Sequence, residues 1–183
     1  MIKVLCQRLA VVAVAVFALG SCTPANYDHL EPRFDIEGFF NGELHAYGIV
    51  RSRGGELMRR FKVNLLGTWE EGVGTLDEQF LYDDGERAQR VWTFVKDGDG
   101  NFSGTANDTL STAILRVSGP ELTLNYNILL DVGDSSYEVR FDDWIYAIDN
   151  DRVINVSEIS KFGLTLGEVI LVMERGHQPL TFD

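Results

Sequence analysis

From Phe34 onward, apolar and polar residues alternate in short runs, the period-two pattern of strands with one buried face. The clearest run sets Leu122, Leu124, Tyr126, Ile128 and Leu130 against Thr123, Asn125 and Asn127. Others carry Leu57, Phe61, Val63 and Leu65, then Phe80 and Tyr82, Trp92 and Phe94, Tyr137, Val139 and Phe141, and finally Ile170 and Val172. Between them stand Arg53-Gly54-Gly55, Asp83-Asp84-Gly85, Asp97-Gly98-Asp99-Gly100, Ser118-Gly119-Pro120, Gly133-Asp134 and Asp149-Asn150-Asp151, all turn chemistry. About ten strands joined mostly by tight hairpins are predicted. No stretch past residue 33 sustains a helical period over three turns, although Phe34 to Phe40 suits a short turn of helix. With no long crossover, pairing is antiparallel, and a meander of this length hides its edges by closing on itself. The expected fold is therefore all-β, a single antiparallel meander barrel. A two-sheet sandwich with Greek-key connections is the alternative.

The first residues follow a different pattern. Lys3 and Arg8 precede an apolar run from Leu9 to Leu19, and small Gly20 and Ser21 lead to Cys22, the anatomy of a secretory signal. The run is shorter than the roughly 20 apolar residues of a membrane-spanning helix. Leu19-Gly20-Ser21-Cys22 resembles a bacterial lipobox. That resemblance implies lipid transfer to the Cys22 thiol, cleavage between Ser21 and Cys22, and acylation of the new amino terminus, so that the protein is held on a membrane by its lipid. Thr23 stands where an aspartate would resemble an inner-membrane retention signal, so the expected address is the periplasmic face of the outer membrane. The expected organisation is a signal peptide over 1–21, a lipidated tether over 22–33 with Pro24 and Pro32, and a barrel domain over 34–183.

Composition narrows the chemistry. The two cysteines are Cys6 and Cys22, which leaves the body with no thiol for disulfides, nucleophilic catalysis or metal ligation. Of 16 Lys+Arg and 28 Asp+Glu, the signal holds two basic residues and no acidic one, so the mature charge is 14 − 28 = −14. Such a surface repels nucleic acid. Histidine is confined to His29, His45 and His177, and there is no HExxH, GxSxG or P-loop pattern. No cofactor and no metal are expected.

Several segments resemble an uncharacterised family of proteobacterial lipoproteins, known as domain of unknown function three-eight-three-three. They are Phe39-Phe40-Asn41-Gly42, Arg59-Arg60-Phe61, Leu76-Asp77-Glu78-Gln79-Phe80 with Asp84-Gly85, Arg90-Val91-Trp92, Asp142-Asp143-Trp144, and Asn155 with Lys161-Phe162-Gly163. The resemblance implies an envelope protein in the company of enzymes that modify membrane fatty acids, and so a link to lipid. The expected barrel is also similar to the lipocalin and calycin architecture, which commonly encloses a small apolar ligand. Gly67-Thr68-Trp69 matches the lipocalin Gly-x-Trp but follows the second expected strand instead of opening the first, and Arg175 resembles the arginine that closes lipocalin barrels.

Asp142 and Asp143 invite an acid–base reading, but neighbours in a strand point to opposite faces. Asp143 shares the face of Tyr137, Val139, Phe141 and Ile145 and is expected inside, where a buried carboxylate needs a partner. Arg90, Arg60, Arg59 and Lys161 are the candidates. The result is either a salt-bridge cluster that sets register or a polar contact for a ligand head group, with Asp143, Arg90, Glu78, Arg60 and Lys161 as the site and Trp92, Tyr126, Phe141 and Trp144 as lumen aromatics. Asp97, Asp99 and Asn101 have calcium-loop spacing, but Phe102 replaces the required glycine, and a hairpin tip accounts for them better. His45 is expected at the surface or rim. The function these features suggest is binding or chaperoning a fatty acid, lipid or other apolar molecule. A lipid-modifying enzyme using Asp143, Glu78 and Arg90, or an envelope scaffold with a filled barrel, are the alternatives.

Overall fold

The computed structural model describes residues 25–132 and 135–176. The Leu19-Gly20-Ser21-Cys22 site, the Gly133-Asp134 turn and His177 lie outside them. Ten strands follow one short helix: α1 (Ile36–Phe39), β1 (Gly42–Ser52), β2 (Leu57–Glu70), β3 (Val73–Tyr82), β4 (Arg87–Lys96), β5 (Phe102–Ala106), β6 (Ala113–Ser118), β7 (Glu121–Val132), β8 (Ser135–Ala147), β9 (Arg152–Lys161) and β10 (Leu164–Arg175). Each pairs antiparallel with its sequence neighbour, and β1 pairs with β10 to close the barrel. The predicted meander is the observed fold, and the sandwich alternative is excluded.

Alternation sorts the side chains into an inner and an outer set. Leu44, Val63, Leu65, Leu76, Trp92, Phe94, Leu115, Leu122, Val139 and Val153 are buried inside. Where two strands meet in tight turns the chain adopts left-handed backbone, with φ 49° at Glu71 and 79° at Gly72 between β2 and β3.

One end of the barrel is stoppered. Asp35 caps α1 by accepting the Gly38 amide at 3.0 Å, and Phe34, Ile36, Phe39 and Phe40 are each at most 5% exposed. Burying a side chain of this size contributes roughly 1.5–3 kcal/mol. Trp69 Nε1 donates to the Phe40 carbonyl at 3.0 Å, Arg175 donates to the Gly38 and Asn41 carbonyls, and Lys96 pairs with Glu37 at 2.6 Å. The residue that resembles the lipocalin closing arginine thus fastens the stopper. The backbone of Phe40 passes so close to β2 that a Cβ on Gly67 would lie 1.8 Å from its carbonyl oxygen.

The Tyr27 amide donates to Ser118 Oγ at 2.8 Å and the Phe34 amide to the Gly119 carbonyl at 2.8 Å, so residues from Tyr27 on already lie along the turn between β6 and β7. Pro24 and Pro32 suggested a free linker, but hydrogen bonds to this turn fix the later part of it.

Candidate functional site

Register places the inner polar residues. On β3 and β4, Leu76 opposite Trp92 and Phe80 opposite Ala88 point inward, and the pair between them is Glu78 opposite Arg90. On β7 and β8, Tyr126 faces Phe141 and Leu124 faces Asp143. On β9, Ser157 lies opposite Asp143, with Asn155 two residues before it on the same face. Closure of the sheet brings these strands around one lumen.

The loop between β5 and β6 adds a further carboxylate. β5 has only five residues and β6 six, and the chain between them runs along β7, with the Leu110 amide donating to the Asn127 carbonyl at 2.7 Å. This delivers Asp108 to Arg90: Nε donates to Oδ1 at 3.0 Å and Nη2 to Oδ2 at 2.7 Å, a forked pair. Asn107 fixes the loop by accepting the Val91 amide at 2.7 Å.

Asp143 is 8% exposed and accepts from Ser157 and Tyr126, which are each 4% exposed. The Ser157 hydroxyl lies between the Asp143 carboxylate and Asn155 Oδ1, 3.3 Å away, and has one proton to give. Asp143 Oδ1 is buried with no hydrogen-bond partner.

Burial dominates the electrostatics. It pushes the Glu78 carboxyl up to about 7, against the lowering effect of Arg90 and with the added repulsion of Asp108, Asp143 and Asp77. Burial likewise pushes Asp143 up to about 6, although hydrogen bonds from Ser157 and Tyr126 and the charge of Arg90 pull it down. Burial and the neighbouring Asp143 raise the Tyr126 hydroxyl well above its ordinary value. For Arg90, burial pulls downward, but Tyr126, Glu78 and Asp108 outweigh it and the guanidinium stays charged. Glu78 is enclosed by protein yet only half-buried, so it meets solvent inside the lumen.

Inner side chains are partly buried at both ends of the barrel: Val50, Phe80, Leu130, Val169 and Leu171 opposite α1, and Trp69, Phe102, Val117 and Ala147 beside it. The barrel interior is thus lined by apolar side chains with a polar group among them. Its rim carries Arg59, whose guanidinium lies 3.7 Å from the Tyr82 ring centre and donates to Asp84 at 2.8 Å and Glu86 at 2.9 Å. The two clefts nearest the stopper, one of about 130 Å³ beside Pro32 and Arg175 and one of about 570 Å³ beside Lys96 and Arg116, lie at the barrel's other end.

Of the expected site residues, the barrel brings together Asp143, Arg90 and Glu78, with Trp92, Tyr126 and Phe141 around them: Tyr126 stacks on Phe141 at 5.5 Å and meets Trp92 edge-on at 5.0 Å. Three do not belong. Arg60 is on the outer face, paired with Asp83 at 2.9 Å. Lys161 sits at the end of β9 over the Tyr137 ring at 4.4 Å. Trp144 faces outward, because it directly follows inward Asp143 and the strand does not bulge there. The pairing also differs: Arg90 takes Asp108, and reaches Asp143 only through space. Asp142, on the outside, pairs with Arg140 at 2.6 Å. Asp108, Asn155 and Ser157 were not foreseen.

His45 points outward as its phase requires but is 5% exposed, under Tyr47 and between Glu174 Oε2 at 3.2 Å and the Gly176 carbonyl at 3.3 Å. It takes no part in the lumen. The Asp97 carboxylate accepts the Asp99 and Asn101 amides at 2.9 Å each, which makes the turn between β4 and β5 a self-contained Asx tip.

Fold and interior together define a stoppered, ten-stranded antiparallel barrel with an apolar interior and an internal cluster of carboxylates, arginine and tyrosine. The chain belongs to the family described as protein of unknown function (DUF3833), whose model matches residues 13–175. Among solved structures it is similar to the crystal structure of Rv2717c from M. tuberculosis, with 12% identity, a TM-score of 0.54, and coverage of 75% of this chain and 93% of that one. At that identity the likeness concerns the fold alone. No curated protein matches the chain.

Proposed function

We propose that the protein is a lipid-anchored envelope carrier that binds an apolar molecule in its barrel. The observation that carries this reading is the barrel end opposite α1, where the inward-facing Val50, Phe80, Leu130, Val169 and Leu171 are only partly buried. Partly exposed apolar side chains around one unstoppered mouth are what the entrance to an apolar binding cup presents. Cys22 supplies the anchor in this reading, at the periplasmic face of the outer membrane. Residues 23–26 separate that cysteine from Tyr27, which among the described residues is the first hydrogen-bonded to the barrel, a reach of about 18 Å at most. The stoppered end then rests near the membrane and the cup opens away from it, suited to exchanging its ligand with the periplasm.

The test is uptake of an environment-sensitive apolar fluorophore by the full chain, with competition from the host's lipid extract. Saturable uptake at one site per chain, lost when Leu171→Trp fills the cup, is the expected result. Absence of saturable uptake, or uptake indifferent to Leu171→Trp, refutes the carrier. Labelling with radioactive palmitate tests the anchor separately, since Cys22→Ala removes the acceptor thiol and should abolish it.

A further inference from the structure

We infer that the polar group inside the cup receives a protonated amine head of an amphiphile, and that a fatty-acid carboxylate is the wrong ligand. This rests on the carrier reading and names the chemistry of its ligand. The resemblances pointed toward fatty acids; the geometry of the lumen points elsewhere.

A carboxylate ligand needs an uncommitted cation or several donors. Among the described residues the cation beside Glu78 and Asp143 is Arg90, and the forked pair with Asp108 already occupies the Nε and Nη2 edge that would grip a carboxylate, while Arg59 at the rim is held by Asp84 and Glu86. Three carboxyl groups, Glu78, Asp108 and Asp143, face that single arginine across the lumen. Adding a fourth would bring like charges together where solvent screening is weak.

At Asp143 one acceptor goes without a donor. Asp143 Oδ1 is buried and accepts nothing, and Ser157 divides one proton between Asp143 and Asn155. An unpaired buried acceptor of this kind costs about 1–3 kcal/mol, which an incoming N–H recovers. An ammonium brings three donors and one positive charge, matching the empty oxygen of Asp143 and the excess negative charge that Glu78 shares with it. A hydroxyl head brings one donor and no charge. Apolar walls formed by Phe80, Leu171 and Val169 then hold the chain of such a ligand.

The charged and titratable groups that meet this position are Glu78 from β3, Arg90 from β4, Asp108 from the loop after β5, Tyr126 from β7 and Asp143 from β8. As pH falls through about 7 for Glu78 and about 6 for Asp143, both take up protons and the attraction for an ammonium is lost.

The experiment presents the full chain, in a non-ionic detergent, with an equimolar mixture of dodecylamine, dodecanol and dodecanoate at pH 7.5, and reads bound masses by native mass spectrometry. One dodecylamine per chain, at least ten times more abundant than dodecanoate, is the expected result. Asp143→Asn should cut amine binding about tenfold and leave dodecanol unchanged, and Glu78→Gln provides a second variant should the first fold poorly. Because an acidic protein also adsorbs cationic amphiphiles outside the barrel, amine retained by Leu171→Trp counts against the inference. Dodecanoate bound as well as or better than dodecylamine overturns it while leaving the carrier reading intact. Binding of none of the three, together with no uptake of the neutral fluorophore, overturns both.

Discussion

Arg90 and Asp108 form a forked ion pair, Nε to Oδ1 at 3.0 Å and Nη2 to Oδ2 at 2.7 Å, that ties the loop after β5 to the inner face of β4. The pair closes the barrel wall where β5 and β6 are too short to do so with backbone hydrogen bonds, since only three residues of β5 register with β6. Asp108 is about a third exposed and Arg90 about a fifth, so the pair stands between surface and interior. Removing either side chain should cost about 2 kcal/mol, more than an exposed pair and less than the 3–5 kcal/mol of a fully buried one. Urea unfolding of Arg90→Ala, Asp108→Ala and the double variant checks this. The two losses should be far from additive, whereas Arg90→Ala and Asp143→Asn, which share no hydrogen bond, should come closer to additivity.

Stability should fall as pH rises through neutrality. Asp143 and Glu78 titrate above their ordinary values, so the folded state holds protons that the unfolded chain releases. Their contribution is complete near pH 4 and is lost as pH rises through about 6 for Asp143 and about 7 for Glu78. Shifts of this size correspond to roughly 3 kcal/mol for each group. On the outer surface, Arg60 lowers Asp83, and hydrogen bonds in their turns lower Asp84 and Asp97; what these carboxylates contribute is lost in the opposite direction, as pH falls below the carboxylate range. The urea midpoint should therefore peak near pH 4 to 5 and decline toward pH 8. Glu78→Gln should flatten the upper part of that decline, and a flat wild-type profile would show that neither carboxyl is desolvated.

How much of this was legible in the sequence depends on phase. On β7 and β8 one face is uniformly apolar, so alternation placed Tyr126, Phe141 and Asp143 inside. Trp144 was assigned to the lumen for its aromatic character against the same alternation, and the alternation prevailed. On β9 the inner Val153, Asn155, Ser157 and Ile159 alternate with outer Ile154 and Val156. Both faces carry apolar residues there, so nothing local marks Asn155 and Ser157 as inner, and only their register with β8 does. Asp108 belongs to a loop without periodicity and reaches Arg90 through tertiary closure. Arg60 and Lys161 were drawn in by charge alone, although Arg60 has the opposite phase to inward Phe61.

The stopper depends on one missing side chain. A Cβ on Gly67 would sit 1.8 Å from the Phe40 carbonyl oxygen and 2.7 Å from its carbon, and backbone cannot yield as a flexible side chain does. Gly67→Ala should push the segment carrying Phe39 and Phe40 off the barrel end and strain the Trp69 hydrogen bond, at a cost of about 1–3 kcal/mol. Limited proteolysis reads this directly: cleavage between residues 27 and 41 should accelerate in the variant while the strands stay protected. Unchanged cleavage would show that the stopper has slack.

Phe162 is 94% exposed and has φ 51°, followed by Gly163 at φ 77°, in the two-residue turn that joins β9 to β10. Two successive left-handed residues define a type I′ turn, whose first position favours asparagine and tolerates a bulky aromatic poorly. A non-glycine residue in this region costs roughly 1–2 kcal/mol, and the exposed ring recovers little of it, since the Lys161 ammonium stands 5.3 Å from its centre in solvent. Phe162→Asn should therefore stabilise the protein by about 0.5–1 kcal/mol, raising Tm by about 1–4 °C for a chain of this size. Differential scanning calorimetry at one pH and salt concentration measures the shift. A rise would show that this phenylalanine is not there for the fold; a fall would show that its ring contributes packing or a Lys161 contact stronger than solvent exposure permits.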